Sequence, residues 1–140
     1  MSREYDTEQL WQTIKGEVQQ FSAREPYLAS YFYANVLNHD SLASALSFHI
    51  ATRLGCDSVP EMTLTEVFDA ALADNPEILQ AAVADIHAHY ERDPACNYYA
   101  LPVLYFKGFQ AVQGYRFAHW LWQQGRKSLA LFLQNRISVT

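Results

Sequence analysis

An all-α bundle of six to eight helices is the fold class the sequence predicts, on three observations. Apolar residues recur at intervals of three and four through most of the 140 residues, which is the spacing that lines one face of a helix. No segment sustains the period-two alternation of a half-buried strand, and no strand-turn-strand pattern occurs. Half of the residues are hydrophobic, while proline and glycine number only five each, a globular composition with no low-complexity segment and no internal repeat. The length suits one domain, residues 1–140, burying about 70% of the surface that its unfolded form exposes.

The elements follow in order. A first helix begins after Asp6: Leu10, Trp11, Ile14, Val18 and Phe21 keep the period, and Gln9 stands in capping-box register. Pro26 suits the first position of a second helix, which Leu28, Tyr31, Phe32 and Val36 carry to a break at "NHD". Asp40 or Ser41 caps a third. Its stripe of Leu42, Leu46, Ile50 and Leu54 ends at Gly55, read as a left-handed stop.

"TLTE", with Thr63 and Glu66 at capping-box spacing, opens a fourth helix that ends near Asp74. In "DNPE", Asn75 caps a fifth and Pro76 is its first residue; Ile78, Ala82, Val83, Ile86 and Tyr90 make the apolar face. "RDPA" repeats that device, so a further short turn begins at Pro94. Beyond Pro102, "VLYFKGFQAVQGYRFAHWLWQQG" is the longest apolar segment, with Gly108 and Gly114 placed for close approach of a neighbour and Gly125 as terminator. "KSLALFLQNRISVT" is helical to about Asn135 and then turns β-branched, as though a strand were starting.

The formal charge is −5 and the basic residues are scattered, which argues against a nucleic-acid partner, because phosphate-backbone binding needs clustered positive charge. No apolar run approaches the roughly 20 residues that span a bilayer, and "MSREYDTEQL" lacks the basic and apolar regions of a signal peptide. A cytoplasmic protein without a membrane partner is expected. Cys56 and Cys96 form no CxxC and have no histidine at a zinc spacing, so free thiols are expected.

Few residues offer chemistry. His87 and His89 lie two apart, which on a helix turns their rings about 200° from each other and prevents joint chelation. Asp85 and His89 share a face, but two ligands fall short of a catalytic zinc site, so no metal is expected and these side chains are read as decorating a solvated face. His119, one turn from Arg116 and beside Trp120, reads as a partly buried imidazole hydrogen-bonded in an aromatic core. No GxSxG, P-loop or GxGxxG occurs. Asp93 in "YERDPACNYY" has two readings: a helix cap worth about 1 kcal/mol, or a carboxylate held at the rim of a pocket.

Taken in order, "LW..IK.E", "EP.LAS", "DSLASALSF", "RDPA", "LYFKGFQAVQGYRFAHWLWQQGR" and "LALFLQNRIS" resemble the N-terminal helical domain of bacterial serine acetyltransferase. The C-terminal third is the specific part. The resemblance implies that a left-handed β-helix of hexapeptide repeats follows in the family, starting about where "ISVT" breaks off. None of those repeats is present, so an excised domain or a truncated product is inferred, inactive alone, with no catalytic residue and no cofactor of its own.

For the whole enzyme the resemblance implies acetyl transfer from acetyl-CoA, the co-substrate, to L-serine, giving O-acetylserine for cysteine biosynthesis. It implies that Asp93, the aspartate of "RDPA", reaches into the active site and holds the amino group of serine, or of L-cysteine as inhibitor. It also implies homo-oligomers joined through the helical domains, with Trp11, Phe21, Tyr27, Tyr31 and Tyr33 as contact surfaces. The competing expectation is an oligomerisation or regulatory module with no substrate role.

Overall fold

The structure is a computed structural model and describes residues 5–140. Eight helices make up the described residues, with no strand among them: α1 (Thr7–Arg24), α2 (Ala29–Phe32), α3 (Leu42–Leu54), α4 (Glu61–Asp74), α5 (Glu77–Arg92), α6 (Ala100–Tyr105), α7 (Lys107–Gln123) and α8 (Lys127–Val139). The all-α expectation holds. No helix among the described residues is long and apolar enough to cross a membrane.

α1 starts where the carboxylate of Asp6 accepts the Gln9 N–H at 3.0 Å. It buries Leu10, Trp11, Ile14 and Val18 completely or nearly so. Trp11 is therefore a core residue and leaves the set of expected contact surfaces: it stands on the same stripe as Ile14 and Val18, which faces the bundle. The expected second helix is broken into three pieces, a 3₁₀ turn (Pro26–Leu28), α2 and a π-helical turn (Tyr33–Leu37). Asn35 supplies the reason. Its side-chain amide donates to the Tyr31 carbonyl at 2.9 Å, a position its own backbone N–H would hold in an α-helix, and the ladder widens so that the Asn38 N–H bonds Tyr33 instead.

Ser41 caps α3, accepting the Ser44 N–H. Gly55 is not left-handed, as had been expected; its φ is −68° and ψ 160°. What the position requires is space, since a Cβ there would lie 2.9 Å from the Glu61 backbone nitrogen. α4 begins at Glu61, two residues before the expected Thr63, because the extended Pro60 offers its carbonyl to the Thr63 and Leu64 N–H groups and opens the ladder itself. Asn75 accepts the Glu77 N–H at the start of α5.

The long apolar segment after Pro102 is two helices rather than one. Phe106, at φ −88° and ψ 102°, ends α6 and starts α7. The break leaves the Val103 carbonyl without its helical partner, and the buried Gln110 side chain donates to it at 3.0 Å. α7 runs through the core, where Phe117 stacks on Phe68 with centroids 4.2 Å apart. Gly114 admits α8, a Cβ there lying 3.0 Å from Ile137. Gly108 faces open space and has no such role. Gly125, at φ +79°, ends α7 as expected.

α8 continues to Val139, so no strand begins at "ISVT". Arg136 holds the end of the helix in place by donating to the Leu54 and Gly55 carbonyls at 2.8 and 3.0 Å. Those tertiary bonds, with Ile137 packed on Gly114, override the β-branched preference of the tail.

Candidate functional site

The site is built on the exit from α5. Asp93 closes that helix, its N–H donating to the His89 carbonyl at 3.1 Å. The short turn expected at Pro94 is present: in residues 93–96 the Cys96 N–H bonds the Asp93 carbonyl at 2.9 Å and Asp93 Oδ1 accepts the Ala95 N–H at 2.9 Å. Pro94 presets the second position of that turn. Asp93 thus caps a turn, with its side chain exposed, and Oδ2 has no hydrogen-bond partner among the described residues.

The loop behind this turn is fastened by Glu17 of α1. Its two carboxylate oxygens accept the Tyr99 and Ala100 N–H groups at 3.1 and 2.9 Å and so cap α6. Burial raises the Glu17 carboxyl from its ordinary range, and these two N–H bonds oppose that rise. Cys96 is buried in the same loop, its thiol pushed up by burial and by the Asp93 charge. Glu17 was not singled out in the sequence, although it stands in the "LW..IK.E" string at the margin of the apolar stripe of α1.

Asp93 borders an open cleft of about 510 Å³ between α5 and α7, whose walls include Asp85, His89, Arg92, Gly108 and Phe109. Ala88 and Gly108 leave the room for it. Asp85 and His89 thus share the cleft with Asp93, as their spacing predicts for the first two. The Asp85 carboxylate is already engaged by Arg116 and by Gln113, whose amide donates to it at 2.9 Å.

His87 and His89 do not decorate a solvated face. Both are half-buried: His87 stacks on Tyr5 at 3.8 Å, while His89 sets its ring edge-on against Phe106 at 5.2 Å and Phe109 at 6.2 Å. Flanking aromatics from other elements cover them, a feature that helical spacing alone does not show. Among the described residues no group of three or more His, Cys, Asp or Glu side chains stands close enough to hold a metal.

His119 is likewise misplaced by the sequence reading. It is exposed and lines a second groove of about 440 Å³, beside Tyr115, Arg116 and Trp120. The buried imidazole is His49, 5% exposed, which bonds Asn35 at 2.8 Å and Gln110 at 2.9 Å. No short motif marks it; its only signal is a polar residue inside the buried stripe of α3.

Asp93 therefore brings to the edge of the cleft a carboxylate with one unpartnered oxygen, held at a fixed turn. Such a group recognises a cation or an N–H donor.

Three comparisons bear on the chain. Residues 10–114 match the family described as "Serine acetyltransferase, N-terminal". The serine acetyltransferase of Escherichia coli (strain K12) is 46% identical over 135 residues, 96% of this chain and 50% of that protein. The crystal structure of serine acetyltransferase from Vibrio cholerae O1 biovar El Tor N16961 superposes with a TM-score of 0.93 at 48% identity, covering 96% of this chain and 52% of that one. That of Neisseria gonorrhoeae in complex with serine gives a TM-score of 0.91 at 46% identity, over 96% and 54%. Similar serine acetyltransferase structures also include complexes with CoA and with cysteine. The chain spans about half the length of the curated relatives it matches.

Proposed function

The chain belongs to the serine acetyltransferase family, by its N-terminal domain, and from that membership we propose that it is the substrate-positioning and assembly part of an enzyme that acetylates L-serine. In the complete enzyme the serine hydroxyl attacks the thioester carbonyl of acetyl-CoA, the carbon–sulfur bond breaks, and O-acetyl-L-serine and CoA leave. Asp93 takes no part in those bond changes. It holds the ammonium of serine, or of cysteine when that amino acid inhibits, through Oδ2. The base and the acetyl-CoA site belong to sequence outside these 140 residues, so the isolated chain transfers no acetyl group. A cytoplasmic location suits such a biosynthetic enzyme.

The observation that carries this reading is the Asp93 carboxylate: one oxygen accepts the Ala95 N–H, the other has no partner among the described residues, and the residue borders the cleft. A charge-assisted hydrogen bond to an ammonium is among the stronger contacts a protein makes, and a group already fixed by a turn loses little entropy in making it. The serine and cysteine complexes of similar enzymes support the ligand class.

Asp93→Asn in the complete enzyme tests it, because asparagine keeps the carbonyl oxygen that accepts the Ala95 N–H while losing the charge. The expected result is a KM for serine raised about ten- to hundredfold, the loss of one hydrogen bond to a charged group, with an unchanged melting temperature. Wild-type kinetics would refute the assignment. Homo-oligomer formation through the aromatic surface of Tyr27, Tyr31 and Tyr33 is the second part of the proposal. Its support is exposure: Tyr27 is 98% and Tyr33 58% exposed, whereas Tyr31 and Phe21 are only partly so.

A further inference from the structure

We infer that Glu17 is a positioning residue for the amino-acid site: it fixes the loop that carries Asp93, and so sets where the Asp93 carboxylate meets the ammonium. The inference rests on the reading of Asp93 as the ammonium-binding group. It starts from what the loop is attached to. Asp93 leaves α5 on a turn that closes at Cys96, and α6 begins only at Ala100. Between them the chain is placed by side chains rather than by a helical ladder. Phe21 of α1 meets the Tyr98 ring edge-on at 4.8 Å, and Tyr90 of α5 stacks on Tyr99 at 3.9 Å. Ring contacts of this kind tolerate offset and tilt.

The Glu17 contact is stricter. Its two oxygens accept the N–H groups of consecutive residues, Tyr99 and Ala100, at 3.1 and 2.9 Å, and a two-point grip on a charged group defines direction as well as distance. Ala100 has no exposed surface, so its N–H needs an acceptor; without the carboxylate the loop has to move to find one. The grip also stands on a firm base. Glu17 sits next to Val18 and three residues after Ile14 on α1, and both of those side chains are wholly buried. Cys96 lies between the grip and the Asp93 turn and senses both ends: burial, then the Asp93 charge, then the Glu17 charge push its thiol up. A shift at Tyr99 is therefore passed to the turn, and a misplacement of about 1 Å is enough to degrade an oriented contact.

The test is a double-mutant cycle in the complete acetyltransferase carrying this domain, with L-serine as the probe. Glu17→Gln keeps one acceptor oxygen but turns an amide toward the second N–H, and Asp93→Asn removes the charge that binds the ammonium. KM is read because it does not depend on the fraction of enzyme that is folded. The expected result is a KM for serine about tenfold higher in Glu17→Gln, with kcat and the KM for acetyl-CoA within about twofold. Adding Glu17→Gln to Asp93→Asn is expected to change the KM for serine by less than about twofold, since both substitutions act on one contact. Glu17→Asp, which retains both oxygens and the charge on a shorter stem, stands in if Glu17→Gln does not fold; its KM is expected to rise about threefold with the same dependence on Asp93. An equal rise in both backgrounds, or a parallel rise in the KM for acetyl-CoA, means that Glu17 acts on the fold at large and overturns the inference, as does an unchanged KM. If Asp93→Asn leaves the KM for serine unchanged, the reading of Asp93 fails first and the inference with it.

Discussion

Protonation of His49 is opposed on every side of the ring. Its Nδ1–H donates to Asn35 Oδ1, and its Nε2 accepts from the Gln110 amide, so a second proton would meet a donor. Burial, and to a lesser extent the Arg53 charge, depress its pKa from 6.5 to about 4. The sign follows from linkage: the unfolded histidine takes up a proton near 6.5 while the folded one does so only near 4. Its stabilising contribution is thus complete above about pH 6.5 and is lost as pH falls toward about 4. The full effect is about 3 kcal/mol. Glu17 acts in the opposite sense, its raised carboxyl favouring the fold at low pH and losing that contribution as pH rises through the raised value. Comparing His49→Gln with wild type cancels the Glu17 term. The melting-temperature advantage of wild type is expected to shrink between pH 7 and 4.5, and a constant difference across that range would refute the account. Asp93 shows the same limit of residue-level reading. Its position before a proline announced a capped turn; that one of its oxygens is held by the Ala95 N–H while the residue borders a cleft with His89 and Phe109 is visible only in the tertiary structure.

Helix interiors were legible because amphipathic periodicity reports the buried face directly, and the stripes of α1, α3 and α5 are buried as their spacing requires except at the last turns, where Phe21 is half-buried and Tyr90 is exposed. Helix ends were less so, since they depend on contacts between elements. The π-helical turn arises from Asn35 meeting Tyr31 and His49, the Phe106 break from Gln110 reaching Val103, and the extension of α8 from Arg136 reaching α3. Two glycines separate local from tertiary causes. Gly16 lies inside α1 with nothing within 4 Å of a built Cβ, so Gly16→Ala is expected to stabilise by about 0.5–1 kcal/mol through helix propensity. Gly55→Ala drives a methyl against the Glu61 backbone and is expected to cost about 1–3 kcal/mol. Urea denaturation midpoints of the two variants should move in opposite directions; a shared direction would contradict the packing described at the α3–α4 corner.

At the scale of the whole molecule, exposed aromatic side chains stand on the 3₁₀ and π turns after α1, and others at Tyr90, Tyr105, Tyr115 and Trp122. On the two turns Tyr27 and Tyr33 are exposed and Leu28 lies between them at 40%, whereas Trp11 and Phe32 have gone into the core. Burying such side chains between copies is favourable, and aromatic residues are enriched at interface cores. Tyr27→Asp with Tyr33→Asp is expected to lower the mass seen by light scattering without changing the melting temperature by more than about 1 °C, because surface substitutions away from packed features are nearly neutral. An unchanged mass would remove this surface from the assembly.

By itself the sequence determined that the chain is helical, where most helices run and which family it resembles. Those follow from local periodicity and from strings of identity, both carried along the chain. The tertiary structure alone decided that Trp11 is core, that His119 is exposed while His49 is buried, and that Asp93 and His89 border one cleft with Gly108 and Phe109. Burial and convergence are properties of residues far apart in sequence, and no local pattern encodes which faces will meet.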